Sequence, residues 1–203
     1  MARRTKAEAE ATREALLDAA ETLFFDKGVA RTSLEQIARQ AGMTRGAVYW
    51  HFRNKADLFH ALLDRVRMPF EELAEDIEAR HEPESPLECI RLACHESFMR
   101  LERPQYQRIH SILIHRCEFF SDIAPLEMQT QLSRNCFAAL LDKFREAQDD
   151  GHLNPALSPE MATQLLQSCL GGLFHDWLRN PDDYALHEQG GAVIDTLFGL
   201  LAR

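Results

Sequence analysis

The stretch TSLEQIARQAGMTRGAVYWHFRNK, residues 32–55, reads as two short helices on either side of a glycine. Thr32-Ser33-Leu34-Glu35 is a capping-box pattern in which the Thr32 hydroxyl can accept from the Glu35 N–H while the Glu35 side chain reaches back. Behind it Leu34, Ile37, Ala38 and Ala41 share one apolar face, and Gly42 supplies the stop. Thr44 can then cap a third helix running to Phe52, and Asn54 a fourth that begins at Lys55. Upstream, Leu16, Ala19, Ala20, Leu23 and Phe24 recur at helical spacing before Gly28. Two helices joined by a tight glycine turn and braced by a preceding one form a helix-turn-helix.

Helical periodicity continues to the end of the chain. The fourth helix carries Leu58, Leu62 and Val66, and Pro69 is expected to kink rather than end it. Ser85-Pro86-Leu87-Glu88 starts a fifth helix, Pro104 a sixth through Arg116, Pro125 a seventh stopping at Gly151, and Ser158-Pro159-Glu160 an eighth through Trp177. A ninth occupies roughly 187–202. The expected fold class is all-α with about nine helices: an N-terminal helix-turn-helix domain over residues 1–54 and a larger C-terminal helical domain over residues 55–203. The last two helices are apolar on more than one face: Leu166, Cys169, Leu170, Leu173, Phe174 and Trp177 are flanked by Met161, Ala162 and Leu165, and Val193, Ile194, Leu197, Phe198, Leu200 and Leu201 cover most of the ninth. Either an intramolecular core absorbs these faces, or they form a homodimer interface as a four-helix bundle, which is the favoured reading.

Composition narrows the function classes. The 203 residues are 45% hydrophobic and 27% charged, ordinary for a globular protein. No apolar run approaches the roughly 18 to 20 residues that span a bilayer, and the basic start has no apolar segment behind it, so no membrane association and a cytoplasmic location are expected. Five cysteines, an odd number without a CxxC pair, argue against disulfides and structural zinc. The net charge of −9 is unevenly spread: of 23 Lys/Arg and 32 Asp/Glu, residues 1–60 hold 10 and 8, leaving 13 and 24 for the rest. Only the first segment favours a polyanion. No GxSxG, P-loop, dinucleotide fingerprint or HExxH is present, and His110, His115 and Cys117 do not fall on one helix face. No catalytic residue, metal or cofactor is expected.

A helix-turn-helix reads bases from the start of its second helix. Thr44 and Arg45 stand there, with Arg45 the candidate for a specific base contact; Gly46 and Ala47 keep the profile low, and Ala47 or the Thr44 methyl can touch a thymine methyl. Tyr49 can reach a phosphate one turn later, and Lys55 sits at a helix start that favours anions. Arg3 and Arg4 add charge at the N-terminus, and Thr32 and Ser33 stand at the start of the second helix. Trp50 either packs against neighbouring helices or faces DNA, Phe52 packs in the core, and His51 is either a phosphate ligand or a packed polar residue. The expected partner is double-stranded operator DNA.

At these residues the chain resembles the TetR family of transcriptional regulators. The likeness rests on Gly28, Thr32, Ile37-Ala38, Ala41-Gly42, the run Thr44 to Phe52, and Lys55 with Leu58, over roughly residues 3–65. Arg3-Arg4-Thr5-Lys6, Gly28 to Thr32 and Cys117-Glu118-Phe119 resemble the AcrR- and TtgR-type repressors of multidrug efflux pumps. The resemblance implies a repressor that binds a palindromic operator as a dimer and is released by a hydrophobic or aromatic small-molecule inducer, residues 55–203 serving ligand binding and dimerisation. It implies a pocket among helices four to eight: Val66; Ile90, Ala93, Cys94 and Ser97; His110, Leu113 and Ile114; Cys136 and Leu140; Gln167, Leu170, Gly171, Phe174 and His175. Helix four is the expected link, running from Lys55 past Val66 to Phe70. Gly171-Gly172 serves either ligand space or close packing at the dimer interface. The same fold regulating other genes in response to a metabolite, or acting without an inducer, is the alternative within this class; a helical enzyme is the rival outside it.

Overall fold

The computed structural model describes residues 6–117 and 125–203, the side chains of 125, 126, 129 and 132 excepted. The fold is all-α. The helices are α1 (Lys6–Lys27), α2 (Leu34–Gln40), α3 (Arg45–His51), α4 (Lys55–Asp64), α5 (Phe70–His81), α6 (Pro86–Leu101), α7 (Pro104–Ser111), α8 (Pro125–Asp149), α9 (Pro159–Arg179) and α10 (Gly191–Leu201). Two wider π-helical turns occur, Ile112–Arg116 after α7 and Leu186–Gly190 leading into α10.

Most boundaries follow local capping. Thr44, Asn54, Ser85 and Ser158 each accept a backbone N–H three residues on, and Pro86 and Pro159 occupy first-turn positions where their missing N–H costs nothing. Two expectations need correction. The cap of α2 is Ser33, not Thr32: the Gln36 N–H donates to Ser33 Oγ at 3.2 Å and the Ser33 N–H donates to Gln36 Oε1 at 2.7 Å. And the expected fourth helix is two helices, which raises the count among the described residues from nine to ten. The chain leaves helical geometry after Asp64 because a proline at 69 lacks an N–H and disfavours helix at the residue before it; the following helix starts at Phe70. The rod expected from Lys55 to Phe70 is interrupted.

By packing, the described chain forms two compact units: residues to Arg67 together with Gln105–Met128, and Met68–Pro104 together with Gln129–Arg203. The core of the first is built from Leu16, Leu17, Ala20 and Phe24 of α1, Ile37 and Ala38 of α2, Val48 of α3, and Leu58, Phe59 and Leu62 of α4, with Ile109, Ile112 and Leu113 contributed from the α7 region. Phe24 and Phe59 meet edge-to-face at 5.9 Å between centroids. Polar ties reinforce the contact: Arg65 pairs with Glu14 and, at 2.7 Å, with Asp18; Arg108 of α7 lies 3.6 Å from Glu21 of α1; and the Val29 N–H donates to Arg116 O at 3.1 Å.

In the second unit α5 packs on α6 through Leu73, Ala74, Ile77, Cys89 and Ala93. Asp195 of α10 accepts from Arg91 at 3.0 Å and lies 2.8 Å from His95 Nε2, both on α6. Gly191 permits this approach, since a Cβ there would lie 2.8 Å from His95 Cε1.

Gly42, which turns the chain between α2 and α3, has φ +68°, and a Cβ built there meets nothing within 4 Å. Gly42→Ala therefore carries backbone strain alone. It is expected to lower unfolding stability by about 1–2 kcal/mol, measured by urea denaturation; an unchanged midpoint overturns this account.

Candidate nucleic-acid interface

The turn at Gly42 sets α3 against α2 and leaves one face of α3 outward. Val48 is fully buried beneath it, while Arg45, Tyr49 and Trp50 are exposed, Trp50 at 72%. Trp50 is thus a surface residue, its ring edge-on to His51 at 4.5 Å, while Phe52 is core. His51 is half-buried, and Gly46 and Thr44 are exposed beside the half-buried Ala47. Arg45 Nε lies 3.1 Å from Glu35 Oε1, and the Tyr49 hydroxyl donates to the same oxygen at 3.2 Å. The Arg45 guanidinium also lies over the Tyr49 ring, 5.4 Å from its centroid. The backbone N–H of Glu35, then the Tyr49 hydroxyl and the Arg45 charge, hold the Glu35 carboxyl below the usual carboxylate range.

Beside this face lies an open cleft of about 510 Å³ bounded by Arg31, Ser33, Tyr49, Arg53, Asn54 and Lys55 among others. Ser33 and Tyr49 both line it. Two sequence-assigned contacts do not survive. Thr32 is 2% exposed, its hydroxyl donating to Gly28 O at 2.9 Å, so it braces the loop before α2. Lys55 Nζ donates to Val29 O at 2.7 Å, Thr32 O at 2.9 Å and Ala30 O at 3.3 Å. An ammonium has three N–H groups, and these carbonyls engage all of them. Burial pushes the Lys55 pKa down, against the opposing influence of Cys117. Lys55 is a fastening of the fold, not a free phosphate donor. Arg31 and Arg53 belong to the basic cluster of the sequence but are not among the expected DNA contacts; both are exposed at the cleft, beside Thr32 and Asn54. Arg3 and Arg4 lie outside the described residues.

The residues expected to line a small-molecule pocket divide between the units. Val66 and Leu113 are core residues of the first; Ile114 and His110 are half-buried there, with His110 Nδ1 2.8 Å from Tyr106 O and its pKa pushed down by burial. In the second, Ile90, Ala93, Cys94 and Leu140 are buried, and Ser97, Cys136, Leu170, Gly171 and Phe174 are half-buried. Burial, with Cys136 and Cys169 close by, pushes the Cys94 thiol up. Gln167 is half-buried, its amide nitrogen donating to Ser133 O at 2.7 Å and Ser133 Oγ at 2.9 Å, and His175 is exposed.

An all-α chain with an exposed recognition face on a glycine-turned helix pair is a helix-turn-helix regulator. Residues 16–62 match the description "Bacterial regulatory proteins, tetR family", and residues 86–203 match "MAATS-type transcriptional repressor, C-terminal region". The chain belongs to the TetR family: it is a DNA-binding transcriptional regulator and not an enzyme. It is similar to the HTH-type transcriptional regulator TtgR of Pseudomonas putida, 38% identical over 99% of this chain and 96% of that one. Among solved structures it is similar to NalD, the secondary repressor of the MexAB-OprM multidrug efflux pump of Pseudomonas aeruginosa, at 38% identity and TM-score 0.83 over 98% of this chain and 99% of that one. It is also similar to the SmeT–triclosan complex, at 33% identity and TM-score 0.82 over 95% and 92%; SmeT is the repressor of the Stenotrophomonas maltophilia pump SmeDEF. Among the described residues no helix is long and apolar enough to cross a membrane.

Lys55→Ala would strip partners from three loop carbonyls. The expected result is a loss of roughly 1–3 kcal/mol in urea unfolding. An unchanged midpoint with a shallower salt dependence of DNA binding would return Lys55 to the phosphate role.

Proposed function

We propose that this regulator represses a multidrug efflux pump operon, binding a palindromic operator as a cytoplasmic homodimer and leaving it when a hydrophobic or aromatic molecule occupies the second unit. The observation that carries this reading is that the likeness to NalD and SmeT runs through both units, not the helix-turn-helix alone. SmeT is seen with triclosan, an aromatic biocide of the kind that half-buried Leu170, Phe174 and Cys136 among buried Ile90, Ala93, Cys94 and Leu140 would accept. Ser97 and Gly171 would add a hydroxyl and space.

In this reading residues 1–54 contact DNA. The start of α3 enters the major groove with Thr44, Arg45, Gly46 and Ala47 toward base edges, while Ser33, Tyr49 and exposed Trp50, with His51 beside it, face the sugar-phosphate chain, and Arg3 and Arg4 add basic charge. Residues 55–203 sense and dimerise. Met161 and Leu165 on α9 and Val193 and Leu200 on α10 are exposed at 52, 41, 43 and 67%, which suits a bundle made with the same helices of a second copy. Two copies would then address half-sites about 34–36 Å apart, or a multiple of that spacing.

Footprinting on DNA upstream of pump operons, followed by operator binding with and without triclosan and other hydrophobic biocides, tests the reading; no protected tract, or affinity indifferent to every compound, rejects it. Arg45→Ala is expected to cost about 1–3 kcal/mol of operator affinity and to relax preference at one position. Leu200→Glu should sediment as a monomer at micromolar concentration, and a persistent dimer would remove α10 from the interface.

A further inference from the structure

The acidic residue at the centre of the recognition face calls for an explanation. Glu35 stands in the first turn of α2 and its carboxylate is directed at α3, where one oxygen takes both Arg45 Nε and the Tyr49 hydroxyl. The pair is open to water, the Arg45 side chain being 71% exposed and that of Glu35 45%. Exposed pairs of this kind contribute little to folding stability. A first-turn carboxylate is favoured by its own helix N-terminus, but that does not direct it at Arg45 and Tyr49, and an anion on a surface that must approach phosphates is repelled by them.

What the carboxylate does is fix a direction. With Nε held by Glu35 and the guanidinium carbon over the Tyr49 ring, Arg45 keeps the two terminal nitrogens of its fork unengaged by that oxygen. Bidentate recognition of guanine O6 and N7 uses a fork of parallel N–H donors. The neutralised pair also has little pull toward phosphate at random sequence, where attraction scales with the number of unpaired cations. We propose that Glu35 is a specificity-determining residue that acts through Arg45 and Tyr49, presenting the arginine end-on to a base while restraining it from promiscuous phosphate contact. The inference rests on the reading that α3 enters the groove, and it names a positioning residue on the other helix of the motif.

The test uses the full-length protein with Glu35→Gln and Glu35→Ala, a footprinted operator duplex and a scrambled duplex of equal length. Thermal midpoints should change little, since the lost contacts are exposed. The ratio of operator to scrambled affinity should fall at least about 5-fold in Glu35→Ala, the lower bound of what one bidentate pair discriminates. Scrambled-sequence binding should tighten, with a steeper salt dependence of about one additional released counterion per half-site. Glu35→Gln, which keeps an acceptor but not the charge, should fall between the two. In an Arg45→Ala background Glu35→Ala should change the ratio no further. An unchanged ratio in the single variant overturns the proposal, and so does an undiminished loss in the Arg45→Ala background, which would mean that Glu35 reads a base itself. If Arg45→Ala leaves base preference intact, the groove reading has failed and this inference fails with it; if Arg45→Ala relaxes preference and Glu35→Ala does not, only the role of Glu35 is rejected.

Discussion

The first unit depends on one cation. Lys55 opens α4, yet its ammonium reaches back over more than twenty residues to the carbonyls of Val29, Ala30 and Thr32 in the loop before α2. Loop carbonyls that leave water need donors, and a half-buried ammonium needs acceptors. Each requirement satisfies the other here. The starts of α2 and α4 are therefore fixed to one another, and α3, strung between them by Gly42 and Asn54, has one orientation. That brings Ser33, Tyr49, Arg53 and Asn54 to one cleft. With Lys55 committed internally, Arg31 and Arg53 are the exposed side-chain cations at this cleft.

A second set of ties enlarges the unit beyond its contiguous sequence. Glu21 of α1 has Arg65 beyond the end of α4 on one side and Arg108 of α7 on the other. Burial pushes its carboxyl pKa up, and the two arginines oppose that shift. The backbone of the following turn joins in at Val29 and Arg116. The α7 region is thereby part of the body that carries the recognition helix, although α5 and α6, which precede it, belong to the other unit. Since α4 stops at Asp64, the chain crosses between the units at residues 67–68, outside any helix, at 104–105, at the start of α7, and at 128–129, within the continuous α8.

What could be read from the sequence follows the range of the interaction. Caps at Thr44, Asn54, Ser85 and Ser158 need only a hydroxyl or amide and an N–H three residues on, so spacing revealed them. Spacing points to Thr32 as the cap of α2, and Ser33 holds that place instead. Gln36 decided it, because its side chain closes the reciprocal bond, whereas the Thr32 hydroxyl finds the carbonyl of Gly28. Pro69 is legible as an interruption but reads as a kink, whereas the chain leaves helical geometry from Arg65 to Pro69. Nothing in the spacing connects Lys55 with the loop at 29–32, or Glu35 with residues 45 and 49 across the turn; such pairings exist only once the helices have packed. The inward helical faces were correct for Ile90, Ala93, Cys94 and Leu140, but periodicity could not reveal that Ser133 would occupy Gln167.

The distribution of exposed apolar surface separates two tasks. The large apolar side chains exposed among the described residues are Phe25, Tyr49, Trp50, Met99, Met161, Leu165, Val193 and Leu200. Two stand on α3, where aromatic rings beside Arg45 suit contact with a sugar-phosphate edge, and four stand on α9 and α10. The inner face of α10 is already committed: Ile194, Phe198 and Leu201 are buried, and Asp195 is held by Arg91 and His95. Val193 and Leu200 therefore cannot turn inward without breaking that charge cluster. A helix anchored by ions on one side and apolar on another gains stability by covering the second side with a like surface. In the proposed dimer, the same anchoring at α6 that fixes α10 would set the angle at which a second copy docks.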